Sequence, residues 1–239
     1  MSETMSVRTN HLGQPIGAPL SGWTPRARPP RTSMQGRLCR LDPVDADRHA
    51  RALHEAYAAD VEGRNWTYLP YGPFESADAY TLAIKSVQGL DDPMPFAIVD
   101  LASERPVGVA SYLNIVPPMG SIEVGAILYS PALQRSPAAT EAMYLMMRRV
   151  FDELGYRRYE WKCDSLNAAS RRAALRLGFR FEGIFRQAWV VKARNRDTAW
   201  YSVIDSEWPA LRTAFERWLD PSNFDAQGRQ RARLEDLRD

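Results

Sequence analysis

Residues 122–147 read IEVGAILYSPALQRSPAATEAMYLMM, and this stretch decides the fold. Its first part alternates as a strand, predicted over Ser121–Tyr129. Alternation sets Glu123, Gly125, Ile127 and Tyr129 on one face and Ile122, Val124, Ala126 and Leu128 on the other. A short loop, LQRS, follows, and then a helix opens. Ser136 stands as its N-cap and Pro137 as its first helical residue. Met143, Met146, Met147, Val150, Phe151 and Leu154 recur on one helical face, and Gly155 stops it. The small residues Ala138, Ala139 and Thr140 expose the amides of the first turn. Such a helix end attracts anions through free N–H groups and the dipole. Arg135 beside it can grip a phosphate bidentately. A plain strand-to-helix connection explains the same residues, and the residues alone leave both readings open.

Working outward, two more strands precede this one, Met94–Leu101 and Pro106–Val116, with turns at SERP (103–106) and PPMG (117–120). Gly36–Leu41 is a short strand, Ala46–Tyr57 a helix, and Ser76 caps another helix reaching Val87. Downstream come a strand at Arg158–Cys163, a helix at Asn167–Leu177 with Gly178 as its stop, and a hairpin of Phe181–Lys192 and Thr198–Ile204 across ARNRD. Trp208, Leu211, Phe215, Trp218 and Leu219 stripe a closing helix. The order of elements predicts one α/β domain with a mixed sheet over 36–219. Residues 1–35, rich in Pro and Gly, read as an extended arm packed along the surface through Ile16, Leu20 and Trp23; 220–239 read as a charged tail, a loose helix.

Composition bounds the rest. The chain has 239 residues, 45% hydrophobic and 25% charged, which excludes disordered, collagen-like and coiled-coil classes. No run nears a membrane span, and Met1–Asn10 holds no apolar stretch of a secretory signal. Cys39 and Cys163 make no disulfide framework. A cytoplasmic chain is expected. The net charge of +2 argues against a general nucleic-acid binder, but it is unevenly spread. Asp42 to Glu104 carries 12 acidic against 4 basic residues, and Arg171 to Arg196 carries 8 basic against 1 acidic. The basic segment suggests an anionic ligand; mutual neutralisation of the two segments fits equally. No nucleotide-binding glycine motif, CxxC, HExxH or GxSxG is present, and His49 and His54 do not share a helix face, so no metal is expected.

The run at 122–147, followed by NAASRRAALRLGFRFEGIFRQ (167–187), resembles the GNAT superfamily of acyl-CoA-dependent N-acyltransferases, nearest its ribosomal-protein N-terminal acetyltransferase branch. ATEA (139–142) resembles the start of that branch's CoA-binding helix, and Asn167, Ser170 and Leu177-Gly178-Phe179 its C-terminal signature. WTYLPYGPF (66–74) and residues 185–209 resemble a bacterial subgroup of it. The likeness covers about 36–209. It implies a mixed, mostly antiparallel GNAT-like sheet flanked by helices, with acetyl-CoA or another acyl-CoA as co-substrate. It departs in two places. Arg135 and Pro137 stand where the superfamily's phosphate loop carries glycines, and Ala174 stands where many members carry a tyrosine acid.

The resemblance implies direct attack of an amine on a thioester. Glu123 is the candidate general base, and Ser170 the candidate hydroxyl for the thiolate. Leu128, Tyr129 and Asn167 would hold the pantetheine arm. Arg135, Ser136, Ala138, Ala139, Thr140 and Arg172 would meet the phosphates. Trp66, Tyr68, Tyr71 and Trp189 would line the acceptor cleft, where aromatic walls hold a cation or an apolar group, and the acidic excess of 42–104 would suit a cationic amine. Each residue also has a structural reading: ion pair, helix cap, solvated face or loop packing. The expected partner is a small-molecule or peptide amine, not DNA or a membrane; a homodimer stays open. The alternatives are a non-catalytic CoA-binding domain and a ribosome- or RNA-associated module.

Overall fold

The computed structural model describes residues 8–238. The first seven residues of the arm, most of the stretch read against a secretory signal, and Asp239 lie outside the described residues. A hairpin of β1 (Arg8–Thr9) and β2 (Pro15–Ile16) opens the chain. The strands β3 (Met34–Gln35), β4 (Cys39–Pro43), β5 (Met94–Asp100), β6 (Arg105–Val116), β7 (Ser121–Tyr129), β8 (Arg158–Asp164), β9 (Arg180–Val191) and β10 (Arg194–Ile204) form one eight-stranded sheet. Its order is β3-β4-β5-β6-β7-β8-β10-β9. Every neighbouring pair is antiparallel except β7–β8, which is parallel. The expected mixed, mostly antiparallel sheet flanked by helices is the one observed.

Local sequence explains the helices. Asp45 caps a wide turn, Ala46–Ala50, that runs into α1 (Arg51–Tyr57). The Ser76 Oγ accepts the Ala79 N–H at the head of α2 (Ala77–Val87), and the Ser136 Oγ does the same for Ala139 in α3 (Pro137–Arg148). The Asn167 side chain caps α4 (Ala168–Arg176). Trp208–Leu219 form α5. One core lies under α3, α4 and α5, built on Phe96, Tyr112, Ile122, Met146, Tyr159 and Phe215. A smaller one lies on the opposite face beneath α1 and α2, around Leu53, Tyr57, Trp66 and Tyr80.

Several sequence readings change. The arm, read as extended, holds the short strands β1, β2 and β3, and the strand read at Gly36–Leu41 runs from Cys39 to Pro43. In β7 the alternation breaks at Ala126, whose φ is +48°. Between Gly125 opposite Ser111 and Leu128 opposite Val109 the strand holds one extra residue, a β-bulge. Ile122, Val124, Ile127 and Tyr129 therefore share the α3 side, and Leu128 packs under α1 and α2. The β9–β10 hairpin turns at Lys192-Ala193, both at positive φ, instead of across ARNRD. Lastly, the tail is no helix. It makes single turns at Pro221–Asn223 and Glu235–Leu237, buries Leu234, and returns Arg238 to the Leu175 carbonyl.

The arm follows the surface as far as the sheet. Trp23 donates Nε1–H to the Pro118 carbonyl at 2.9 Å and lies beneath the guanidinium of Arg26. Gly120 makes room for it, because a Cβ there would sit 2.4 Å from the indole. Ile16 and Leu20 stay exposed, so Trp23 alone anchors this part of the arm among the three apolar residues.

Candidate active site

Parallel pairing of β7 and β8 runs from Ser121–Arg158 to Val124–Trp161 and stops there. Beyond it β7 bulges at Ala126, so the two strands part and leave backbone groups of Gly125 to Leu128 without a strand partner on that edge. A cleft of about 680 Å³ opens at this fork, a size suited to a small ligand or a cofactor arm. Its walls are the loop and helix 65–87 on one side and β8, α4 and the β9–β10 hairpin on the other.

Glu123 lies at the root of the fork and is buried. Its Oε2 accepts from Asn114 Nδ2 at 2.6 Å and from Lys162 Nζ at 2.8 Å. Lys162 also pairs with Glu160 at 2.8 Å, and Glu160 with Arg158 at 2.6 Å. Burial raises the Glu123 pKa above the ordinary carboxylate range, against the opposing pull of Lys162 and Asn114. Burial works against the Lys162 charge too, but Glu123 and Glu160 outweigh it and its pKa rises. The result is a carboxylate with lifted basicity beside a firmly charged ammonium. Alternation along RYEWKC already places Arg158, Glu160 and Lys162 on one face; that this face meets Glu123 follows from the β7–β8 pairing alone.

Of the other sequence candidates, Ser170, Leu128, Asn167, Tyr68, Tyr71 and Trp189 line the cleft with Glu123. The Ser170 Oγ accepts from Trp161 Nε1 at 2.9 Å, and its hydroxyl hydrogen is left to donate, with the Cys163 sulfur as a neighbouring acceptor. Asn167 spends its oxygen as the cap of α4 on the Ser170 N–H. Cys163, also in the lining, has its thiol pKa raised by burial, opposed by Ser170.

The remaining candidates stand elsewhere. Trp66 is buried beneath the cleft wall, edge-on to Tyr57 at 5.6 Å and Phe74 at 5.7 Å, because an indole under a proline-rich loop is its packing support. Tyr129 turns its ring into the core, and its carbonyl is taken by Asn65 and Gln134 amides at 3.3 and 3.2 Å. Ala138 is buried and Ala139 packs on the same core. The Thr140 hydroxyl accepts from Arg176 at 3.0 Å and is buried. Ser136 is committed as the cap, and its own N–H goes to the Leu133 carbonyl. With Pro137 lacking an N–H, most first-turn donors of α3 are spent or absent. Arg135 and Arg172 are exposed and do not line the cleft. Arg135 holds a left-handed φ of +59° in the loop before α3.

These residues fit an acyl-CoA unevenly. The open edge of β7, Asn167 and Ser170 suit an amide-bearing arm ending at Glu123. Phosphates would depend more on Arg135 than on backbone amides. The sequence reading missed Lys162, Asn114, Arg196, Thr198 and Trp200, all in the lining; the last three fall within the family-like stretch 185–209, but their shared position with Lys162 comes from strand pairing.

Comparison with known proteins agrees with this architecture. The GNAT acetyltransferase domain description matches residues 39–180. A GCN5-related N-acetyltransferase of Brucella melitensis shares 47% identity over 92% of this chain and 99% of its own, with a TM-score of 0.90. A protein of Chromobacterium violaceum described as a probable acetyltransferase of the GNAT family shares 43% over 82% and 98%, with a TM-score of 0.77. A ribosomal-protein alanine acetyltransferase of Vibrio fischeri, at 17% identity over 74% and 98% and a TM-score of 0.57, shares the fold alone. A search of curated proteins finds no match. The forked sheet, the matched domain and the near-complete overlap with the Brucella protein place this chain in the GNAT acetyltransferase family.

Proposed function

We propose that the chain is an acyl-CoA-dependent N-acyltransferase that moves an acetyl group from acetyl-CoA to a primary amine, of a small molecule or a protein N-terminus. The observation that carries this reading is the buried Glu123, its basicity raised, at the point where β7 and β8 part. Leu128, Asn167 and Ser170 would hold the pantetheine end, and Arg135 the phosphates. The thioester, when bound, supplies an electrophilic acyl carbon. Glu123 takes the proton that an amine must shed before it attacks. Lys162 keeps the Glu123 carboxylate oriented through Oε2 and leaves Oε1 for the amine. Ser170 offers its hydroxyl hydrogen where a thiolate would leave. The apolar walls exclude water and strengthen each of these interactions.

Thiol release from acetyl-CoA, measured across an amine panel, tests the reading. Binding should also appear in thermal melts, since ligand at 100 times its Kd adds ~2.7 kcal/mol. Absence of both a shift and calorimetric binding overturns it. One observation favours a second reading, CoA binding without turnover: the first turn of α3 offers few donors; Ala174, fully buried, stands where many superfamily members, though not usually the branch resembled, carry a tyrosine acid. Binding without thiol release would decide for it. An RNA-associated role fits less well, because half of the basic segment is spent internally. Arg171 serves Tyr201 and Ser165, Arg176 serves Thr140, and Lys192 and Arg194 serve loop carbonyls.

A further inference from the structure

Three polar atoms on β10 are buried without a hydrogen-bond partner among the described residues: Arg196 Nε, Thr198 Oγ1 and Trp200 Nε1. Their residues alternate by two, so they share one face of the strand, and all three line the cleft. Buried donors left unpaired cost folding free energy, and a row of them calls for an explanation. The row also reaches the candidate base. Trp200 stands opposite Lys162 in the β8–β10 ladder, the Lys162 ammonium lies 4.0 Å from its indole, and the same ammonium bonds Glu123.

The facing wall is of another kind. Tyr71, Phe74, Tyr80, Ile84, Val87 and Leu113 make it aromatic and aliphatic. The acidic excess of 42–104 does not point here. Asp42 pairs with Arg40 and Arg48, Asp47 with Lys85, Glu55 with Arg105 and Asp78 with Arg51. Glu123 and Asp164 are the carboxylates in the lining, and Glu123 is already shared with Lys162. A polycation would find little to hold it. The far end is tied shut: Lys192 and Arg194 donate to the Trp66 and Thr67 carbonyls at 2.8 Å each, and the Tyr68 hydroxyl donates to the Leu166 carbonyl at 3.3 Å.

Building on the acyltransferase reading, we infer that the acceptor is a free α-amino acid with an apolar or aromatic side chain. Its ammonium meets Glu123, its carboxylate meets the guanidinium, hydroxyl and indole N–H of the Arg196–Thr198–Trp200 row, and its side chain rests on the aromatic wall. The amine nitrogen forms a C–N bond to the acyl carbon of the thioester, and the C–S bond breaks with its electron pair going to sulfur. Of the two protons lost by the ammonium, one leaves through Glu123 to solvent and one ends on the thiol. The products are an N-acyl amino acid and CoA.

The test compares L-phenylalanine, phenethylamine, spermidine and a phenylalanyl tripeptide, by calorimetric titration into enzyme with CoA and by thiol release with acetyl-CoA. Phenylalanine should exceed phenethylamine by about tenfold or more in affinity and in kcat/KM, because phenethylamine leaves the row unpaired. Arg196→Gln and Thr198→Val should abolish that preference with CoA affinity retained; Thr198→Val is near-isosteric and breaks no internal hydrogen bond. Equal or better use of phenethylamine, spermidine or the tripeptide overturns the inference. So does a loss of CoA affinity in the variants with the preference intact, which would give the row to the cofactor. Arg196-dependent binding of phenylalanine without thiol release supports the acceptor site while overturning the acyltransferase reading; thiol release indifferent to the carboxylate does the reverse.

Discussion

The sheet has two halves that treat polar groups differently. From β3 to β6 both faces are covered, by α1 and α2 on one side and α3 on the other, and the fold itself pairs buried polar groups there, His49 Nε2 being an exception. Glu141, buried in α3, accepts the backbone N–H groups of Arg37, Leu38 and Cys39 at 2.9, 2.6 and 2.8 Å. Tyr112 donates to the Met146 carbonyl at 2.9 Å. From β8 to β9, α4 and α5 lie on one side, and the other side carries a chain of charges, Glu123–Lys162–Glu160–Arg158–Glu182, which the unpaired row of β10 meets where Trp200 lies under Lys162. A carboxylate in the covered half serves folding. A carboxylate in the open half sits where the fold has left donors unspent, and such surplus is the physical mark of a ligand site.

The largest effect should come from the covered half. Glu141→Ala orphans three amides and should lower stability by about 3 kcal/mol, read in denaturant melts; a change below about 1 kcal/mol would erase the contrast between the halves.

Glu123→Gln should do the opposite, lowering kcat by roughly 100-fold or more with acyl-CoA affinity retained. The defect should shrink as pH rises, because more acceptor amine is then neutral. Stability should not suffer. The folded pKa of Glu123 lies above its unfolded value, so its favourable contribution is present at low pH and fades as pH climbs through the raised pKa. Near neutral pH the charged form is a burden, and the glutamine variant should melt no lower than the parent. A lower melting temperature with parallel activity loss at all pH values would make Glu123 a structural carboxylate.

Lys162→Met sharpens the same point. Removing the ammonium leaves burial unopposed by its partner, so the Glu123 pKa climbs further. The acidic limb of the pH–activity profile should move to higher pH, and an unmoved limb would separate Lys162 from the base.

The smallest effect is expected outside the fork. Arg135→Ala should weaken CoA binding by about 1 kcal/mol, measured by calorimetry, with dephospho-CoA affected equally. An unchanged Kd would assign Arg135 to the solvated surface.

Much of the fold was legible in the residues. Ser76, Ser136 and Asn167 cap the helices they were read to cap, and the β5–β7 meander falls within a residue of its expected bounds, because caps, stops and alternation act over a few neighbouring residues. Glu123 and Ser170 were legible as candidates by resemblance. Trp66 was misplaced because composition marks a loop as aromatic without saying which ring supports the others. Glu141 went unseen because its partners lie about a hundred residues away.

By itself the sequence determined most of the strands and helices between Met94 and Leu219 and that one sheet must gather them, though not the start of β4 at Cys39 or of β10 at Arg194. Tertiary structure alone decided that β7 pairs in parallel with β8 for four residues and then departs, that Ala126 takes the bulge, and that a two-residue turn at Lys192-Ala193 swings β10 across the opening. The reason is physical. Register and bulges are settled by how distant side chains pack, and ordinary residues such as alanine and lysine adopt positive φ only where the surrounding structure offsets the cost.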